Sequence, residues 1–450
     1  MIQSPGSAAL WHRHQRALPS WEHLYYEQPL ALVSGRGCTV TDAEGNGYLD
    51  CFSGILANFL GYDVPQLREA VDRQLARGIV HTSTLYLIDN QVRLAERIAA
   101  TAPFPDARVF FTNSGSEAND TALLLACEFA GATTVGALRG SYHGRTMAAV
   151  AVTELPRWKP THLSPFDVVF ACTGHHGTES ADTHPSGRHD CLDDFLDRWG
   201  DRRAAAFIVE PIQGVNGFVE PAPGLLARYH EALTDRGALF IADEVQTGWG
   251  RTGATFWGIQ RHGVVPDIIT FAKGIGGGFP LGGVIAPAPI MNRLRGDSIS
   301  TFGGNPLATC AGLAVLDALE DSALQANADH VGGDILRRLQ DRLAALPLVR
   351  EVRGAGLMIA VELVDPATAL PDAAVARTVL EHCRRHGVLI GLGGRAGNVL
   401  RIAPPMTVTV DDGRRLVDAL TAAVAQISHH TPNGGSATAT AATATGRTTP

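Results

Sequence analysis

Two lysines serve the whole 450-residue chain, Lys159 and Lys273, and the second stands where an amine could do chemistry. Of 37 lysines and arginines in total, the remaining 35 (37 − 2) are arginines. Lys273 closes the apolar run Asp267-Ile-Ile-Thr-Phe-Ala-Lys273 and is followed at once by Gly274-Ile-Gly-Gly-Gly278. An amine at the end of a buried strand, beside a loop almost free of side chains, is desolvated and has room for a ligand. Desolvation disfavours the ammonium form and lowers its pKa, as a Schiff-base lysine requires. The ordinary alternative is a solvated strand-end lysine. Near-exclusive use of arginine elsewhere weighs against it, because a guanidinium cannot form an imine.

Other small clusters offer complementary chemistry. Thr112-Asn-Ser-Gly-Ser-Glu-Ala-Asn119 lies between a strand and a helix. Gly115 and Ser116 there either cap the helix or seat a phosphate on its exposed N–H groups and positive dipole end. Ile241-Ala-Asp-Glu-Val-Gln246 puts Asp243 at the C-terminal end of an apolar strand, the edge where α/β sheets bind ligands. Asp243 could keep a pyridine nitrogen protonated and Gln246 could reach a neighbouring ring oxygen; a helix-capping or ion-paired acid is the alternative. Tyr142, in Gly140-Ser-Tyr-His-Gly144, could stack on a flat ring or be a plain loop residue. Thr301, in Thr301-Phe-Gly-Gly-Asn-Pro306, offers a hydroxyl to an anion. Arg401, before the turn Ala403-Pro-Pro405, suits capture of a carboxylate.

These groups need elements to position them. Short β-rich runs at Arg108–Phe111, Thr134–Leu138, Asp167–Phe170, Ala205–Glu210, Ala238–Ala242 and Asp267–Ala272 alternate with helical runs that include Ser116–Phe129 and Gly224–Arg236. Near-continuous apolar strands separated by helices predict a mostly parallel α/β sheet. Residues 1–62 read as a mobile start followed by a hairpin, Gly37–Asp42 with Gly47–Asp50, and join the smaller domain. Residues 63–305 form the large domain, 306–429 a smaller C-terminal domain opening on a long helical run (Leu307–Leu346), and 430–450 a disordered low-complexity tail. At 450 residues, more than one hydrophobic core is expected.

The bulk numbers exclude several classes. A formal charge of −8 with scattered arginines gives no reason to expect nucleic acid. No stretch approaches the roughly 18 apolar residues of a membrane helix. No apolar signal segment opens the chain, so a soluble cytoplasmic protein is expected. Seven dispersed cysteines suggest reduced, buried thiols rather than a disulfide framework. His175, His176, His184 and His189 with Cys191 lack finger spacing and read as a solvated loop, so no metal is expected. Phosphate-loop, dinucleotide, zincin and nucleophile-elbow patterns are absent.

In order along the chain, Asn113-Ser-Gly-Ser-Glu-Ala-Asn119, Tyr142-His-Gly144, Glu210-Pro-Ile-Gln-Gly214, Asp243-Glu-Val-Gln246, Lys273-Gly274, Thr301-Phe-Gly-Gly-Asn-Pro306 and Arg401-Ile-Ala-Pro404 resemble the class III (ω-) aminotransferases. Tyr48–Ile55, His81–Thr84 and Glu210–Gly217 look most like the alanine–glyoxylate aminotransferase 2 branch. The likeness spans about residues 30–428. It implies a fold-type I, aspartate aminotransferase-like α/β protein: a large domain with a mostly parallel central sheet and a smaller α+β domain from both termini. It also implies a homodimer with shared active sites and pyridoxal 5′-phosphate as cofactor. By position, Lys273 would hold the cofactor as a Schiff base and shuttle the proton, and Asp243 would pair with the pyridine nitrogen. Gln246 would approach the ring hydroxyl and Tyr142 would pack on the ring face. Gly115 and Ser116 would hold the phosphate, with Thr301 from the partner chain. Arg401 would bind the α-carboxylate of a substrate. The expected reaction moves an amino group from an amino acid or amine to a keto acid or aldehyde by a ping-pong route, with a lyase or decarboxylase on the same scaffold as alternative. One departure stands out: where ornithine and 4-aminobutyrate aminotransferases carry a Glu that gates this arginine, the chain has Val215.

Overall fold

Thr134–Leu138, Ala204–Val209, Leu239–Asp243 and Ile268–Phe271 expose no residue along their lengths. Such strands belong inside a sheet covered on both faces. The computed structural model, which describes residues 6–175 and 191–428, places them at the centre of seven strands. In chain order these are β1 (Ala107–Thr112), β2 (Thr134–Leu138), β3 (Asp167–Ala171), β4 (Ala204–Val209), β5 (Leu239–Asp243), β6 (Ile268–Phe271) and β7 (Gly282–Pro287). Their spatial order is β1-β7-β6-β5-β4-β2-β3. β3, β2, β4, β5 and β6 run parallel, and β7 runs antiparallel to both of its neighbours, β6 and β1. The C-terminal ends of six strands therefore share one edge.

Helices cover the faces. The helix Gly115–Ala130 buries Ala118, Ala122, Leu123, Leu125 and Ala126, small and apolar residues that let it lie close on the sheet. Ser114 caps it, its Oγ accepting from the Glu117 N–H at 3.2 Å, while the Asn113 N–H donates back to Glu117 Oε2 at 2.7 Å. A cap of this kind contributes roughly 1 kcal/mol and fixes where the helix starts. Gly131 ends it in the left-handed region.

The termini build the rest. Strands Leu32–Arg36, Thr39–Asp42 and Gly47–Asp50 form an antiparallel sheet that Val388–Leu389 joins in parallel. A second antiparallel sheet holds Val349–Ala355, Met358–Leu363, Val399–Ile402 and Gly391–Gly393, in that spatial order. The Ala403 N–H donates to Cys51 O at 2.7 Å and Ser53 Oγ to Ala403 O at 2.8 Å, which ties the strand bearing Arg401 to the N-terminal segment.

Several expectations change. The opening holds a helix not expected from the sequence, Ser7–Ala17, which buries nothing. The single helical run from 307 to 346 is two helices, Pro306–Asp321 and Leu324–Leu343, broken where Ala323 takes φ 49°. β7 escaped notice because Gly282, Gly283 and Pro287 resemble a loop. Cysteine use is corrected as well, because Cys172 and Cys191 are joined by a disulfide across 19 residues, and the other five cysteines are free. His175, in irregular structure, is half-buried and sits 3.5 Å from Glu351. His176, His184 and His189, and the tail from 430, lie outside the described residues.

Candidate active site

Parallel strands deliver their chain ends to one edge, and the candidate residues collect there. Asp243 is the last residue of β5, Lys273 follows β6 by two positions, Glu210 follows β4 directly, and Gly115 and Tyr142 sit in the turns after β1 and β2. A cavity of about 540 Å³ opens at this edge. Lys273, Asp243, Gln246, Gly115, Ser116, Tyr142 and Arg401 all line it; Thr301 does not, and stands exposed on the surface.

Asp243 is held on three sides. His143 Nδ1 lies 2.7 Å and Asn119 Nδ2 2.8 Å from its Oδ2, and the Val245 N–H donates to Oδ1 at 3.1 Å. Asn119 is itself fixed, accepting from Thr270 Oγ1 at 2.7 Å and donating to His143 O at 2.7 Å. The other ring nitrogen of His143, Nε2, is buried and finds no partner. The result is a carboxylate fixed at 4 % exposure and facing a cavity.

Lys273 adopts φ 49°, a left-handed conformation that costs a non-glycine residue about 1–3 kcal/mol and that surrounding structure must impose. Burial, joined by the nearby charge of Arg401, lowers its pKa to about 8 against the pull of Asp243 and Glu210. Near neutral pH the reactive neutral amine is therefore far more populated than in an ordinary lysine. Glu210, buried beneath the same loops, accepts from the Tyr142 N–H at 2.9 Å and the Gly214 N–H at 2.8 Å. Burial pushes its carboxyl up to about 7, with His143 opposing and Asp243 reinforcing.

The first N–H groups of the helix Gly115–Ala130 have no acceptor within the helix and open to the cavity. Approach to them depends on glycine: a Cβ on Gly115 would stand 3.0 and 3.1 Å from the Val245 methyls. Ser116 Oγ accepts from the Arg145 N–H at 3.1 Å. Tyr142 packs edge-on against Trp158 with ring centres 5.5 Å apart, and burial raises its pKa. Gln246 Oε1 accepts from an Arg401 terminal nitrogen at 2.9 Å. Gly214 makes room for that amide, since a Cβ there would come within 2.2 Å of Gln246 Nε2.

Asn119, His143, Glu210 and Thr270 had no assigned role from sequence. All four lie in or beside the quoted segments. Glu210 carried the clearest signal, a carboxylate at a strand's C-terminal end.

A family model described as aminotransferase class-III matches residues 23–424, nearly the whole described chain. The chain belongs to the class-III aminotransferases. The alanine–glyoxylate aminotransferase 2 homolog 2, mitochondrial, of Arabidopsis thaliana is 40% identical over 404 residues, covering 88% of this chain and 83% of that protein. Among solved structures, an amine transaminase from an uncultivated Pseudomonas species, determined with pyridoxal phosphate bound, superposes with a TM-score of 0.80 at 31% identity over 89% of this chain and 95% of that one. A phospholyase from Arthrobacter in complex with phosphoethanolamine matches at 0.83 and 31%, covering 93% and 99%.

Class-III aminotransferases are pyridoxal-phosphate enzymes, and this chain is a fold-type I transaminase of that kind. Its residues fit the cofactor. A desolvated amine, a fixed buried carboxylate, and the N-terminus of the helix Gly115–Ala130 line one cavity. Among the described residues no helix is long and apolar enough to cross a membrane.

Proposed function

We propose that this class-III aminotransferase moves an amino group from an amino acid or amine donor to a keto acid or aldehyde acceptor in two alternating half-reactions, with Lys273 as its covalent and proton-transferring residue. The observation that carries this reading is Lys273 and Asp243 on the wall of one cavity, the first with a depressed pKa and the second clamped by His143 and Asn119.

Bound pyridoxal phosphate supplies an electron sink for the negative charge that develops at the donor carbon. Asp243 keeps a positive charge at the cofactor's ring nitrogen, which strengthens that sink. Lys273 would hold the cofactor through its Nζ, and the same Nζ, freed when the donor binds, would take the proton from the donor carbon. Gly115 and Ser116 N–H groups bind the phosphate, and Gln246 approaches the ring hydroxyl. Tyr142 supports the ring face, and Arg401 receives the substrate carboxylate.

We also propose a homodimer in which Thr301 reaches the partner's site. Support comes from exposed apolar side chains: its chain neighbours Phe302 and Ile299 at 59% and 57% exposure, and, elsewhere on the surface, Leu85, Tyr86 and Leu87 at 74%, 70% and 98%. Sedimentation velocity on the holoenzyme checks this; a fully active monomer would end it. The division into a large unit of 63–305 and a smaller one from both termini is part of the same proposal. So is a cytoplasmic location, which the five free cysteines support and the Cys172–Cys191 disulfide opposes; the Arabidopsis relative is mitochondrial by name.

A second reading, a pyridoxal-phosphate lyase or decarboxylase, is favoured by the likeness to the Arthrobacter phospholyase. Product analysis separates the two. Transamination yields one new amine and one keto acid or aldehyde per donor consumed, and no free ammonia or carbon dioxide. Stoichiometric ammonia, phosphate or carbon dioxide without amine transfer would favour the second reading.

A further inference from the structure

Arg251 is a buried cation for which the proposed reaction has no direct use. It is 1% exposed, its Nη1 donates to Pro404 O at 2.5 Å, and its Nη2 is buried without a partner. Among the described residues no carboxylate pairs with it, and burial, with no opposite charge to offset it, lowers its pKa. Burying a guanidinium on these terms is costly, and an apolar side chain of similar volume often serves stability as well or better.

The residues it holds flank Lys273. Its guanidinium stands 5.4 Å from the ring centre of Phe59, itself buried, and desolvated contacts of this kind are the strong ones. That ring packs directly on the turn after β6: a Cβ on Gly274 would come within 2.6 Å of Phe59 Cδ2. Phe59 is fixed at its backbone too, its carbonyl accepting from the Met406 N–H at 2.8 Å, two residues beyond Pro404. On the other flank Phe271, the last residue of β6, meets Trp249 edge-on with ring centres 5.6 Å apart. Trp249 and Arg251 share the loop after β5, and the Leu357 N–H donates to Arg251 O at 3.1 Å, tying that loop to the Val349–Ile402 sheet. One loop thus braces both neighbours of a lysine whose φ of 49° has to be imposed from outside.

We propose that Arg251 is a positioning residue for Lys273: by fixing the Phe59 ring against Gly274, it keeps the turn, and with it the amine, in the geometry that bonding to the cofactor requires. Phe59 transmits the effect and Trp249 supports the opposite flank. This rests on the reading of Lys273 as the covalent residue and deepens it. Neither Arg251 nor Phe59 lines the cavity, so the affinity with which the cofactor first settles there does not depend on either. The rate at which Lys273 then bonds to it does.

The test uses the full chain freed of cofactor and pyridoxal phosphate as the probe, comparing native protein with Arg251→Met, Phe59→Leu and the double variant. Covalent uptake is followed by absorbance against probe concentration, at one pH. In each single variant the limiting rate is expected to fall about tenfold or more, as small misplacements of a reacting group do, while the half-saturating concentration stays within about twofold. The double variant should be no slower than the slower single one, because both changes act on the same turn. Hydrogen exchange supplies a readout without cofactor. The Gly277 and Phe279 N–H groups, bonded to Gly274 O and Gly276 O at 3.1 and 2.9 Å, should exchange about tenfold faster in the variants, with β4 and β5 unchanged. Should Arg251→Met not fold, Phe59→Leu carries the same measurements. A native limiting rate and native exchange in a folded variant would overturn the proposal, and so would additive losses in the double variant; the aminotransferase reading survives either result. Native protein that bonds no cofactor at Lys273 would remove that reading, and this proposal with it.

Discussion

His143 Nδ1 lies 2.7 Å from Asp243 Oδ2, and Asn119 Nδ2 reaches the same oxygen at 2.8 Å. One acidic oxygen thus takes two donors, which orients the carboxylate before any ligand arrives. Preorganised charge of this kind acts without reorganisation at the moment of reaction. Replacing Asp243→Asn keeps the size but removes the charge, so the ring nitrogen loses its counter-ion. The expected loss in kcat/KM is at least about 10²-fold, with cofactor still bound by the remaining contacts. Steady-state kinetics beside a cofactor-content assay checks it; activity within a few-fold of native would contradict the role given to Asp243.

Gly214 leaves room for the Gln246 amide that bonds Arg401. A Cβ on residue 214 would meet Gln246 Nε2 at 2.2 Å, and Gln246 Oε1 is the group that accepts from Arg401. Gly214→Ala should displace the amide and loosen Arg401, raising KM for the amino acid by about tenfold, the size of one lost hydrogen bond to a charged group. An unchanged KM in a folded variant would mean the amide does not steady the arginine.

The pKa of Lys273 makes a prediction for the apoprotein. Its amine is lowered to about 8, mainly by burial, and only the neutral amine forms an imine. The proton is lost as pH rises through the folded pKa, so the rate of covalent cofactor uptake should climb through about pH 8 and level off above it. Uptake still rising steeply to pH 10 would show an ordinary, solvated lysine.

The cysteines give a test independent of catalysis. Protein denatured without reductant should show five titratable thiols, and seven after reduction, because Cys172 and Cys191 are paired. Seven thiols before reduction would show that the pair does not form.

How far the sequence led depended on which interactions are local. β2, β4, β5 and β6 announce themselves as apolar runs because burial on both faces demands it. Their common direction then sets Asp243 with Gln246, Lys273, and the turns after β1 and β2 with Gly115, Ser116 and Tyr142, at one edge, so six of the proposed site residues could be expected to meet, while Arg401 comes from a separate sheet. β7 was illegible because its place comes from pairing with strands on both sides, not from its own glycines and proline. The contacts of Asn119 with Asp243 and of Asp243 with His143 span 124 and 100 residues, and no short-range pattern encodes them. The disulfide failed for the same reason: two cysteines 19 apart carry no sign of a 5.8 Å Cα separation. Ser7–Ala17 buries no side chain, so no apolar stripe marked it as a helix.

The account turns on which amine carries the cofactor. Borohydride reduction of the holoenzyme followed by digestion and peptide mapping locates that amine directly, and the chain offers only two lysines to choose between. The expected result is one pyridoxyl group per chain, on Lys273, with none in a Lys273→Ala protein that still takes up cofactor without a covalent bond. Label on Lys159, or no stable label at all on an active enzyme, would contradict it.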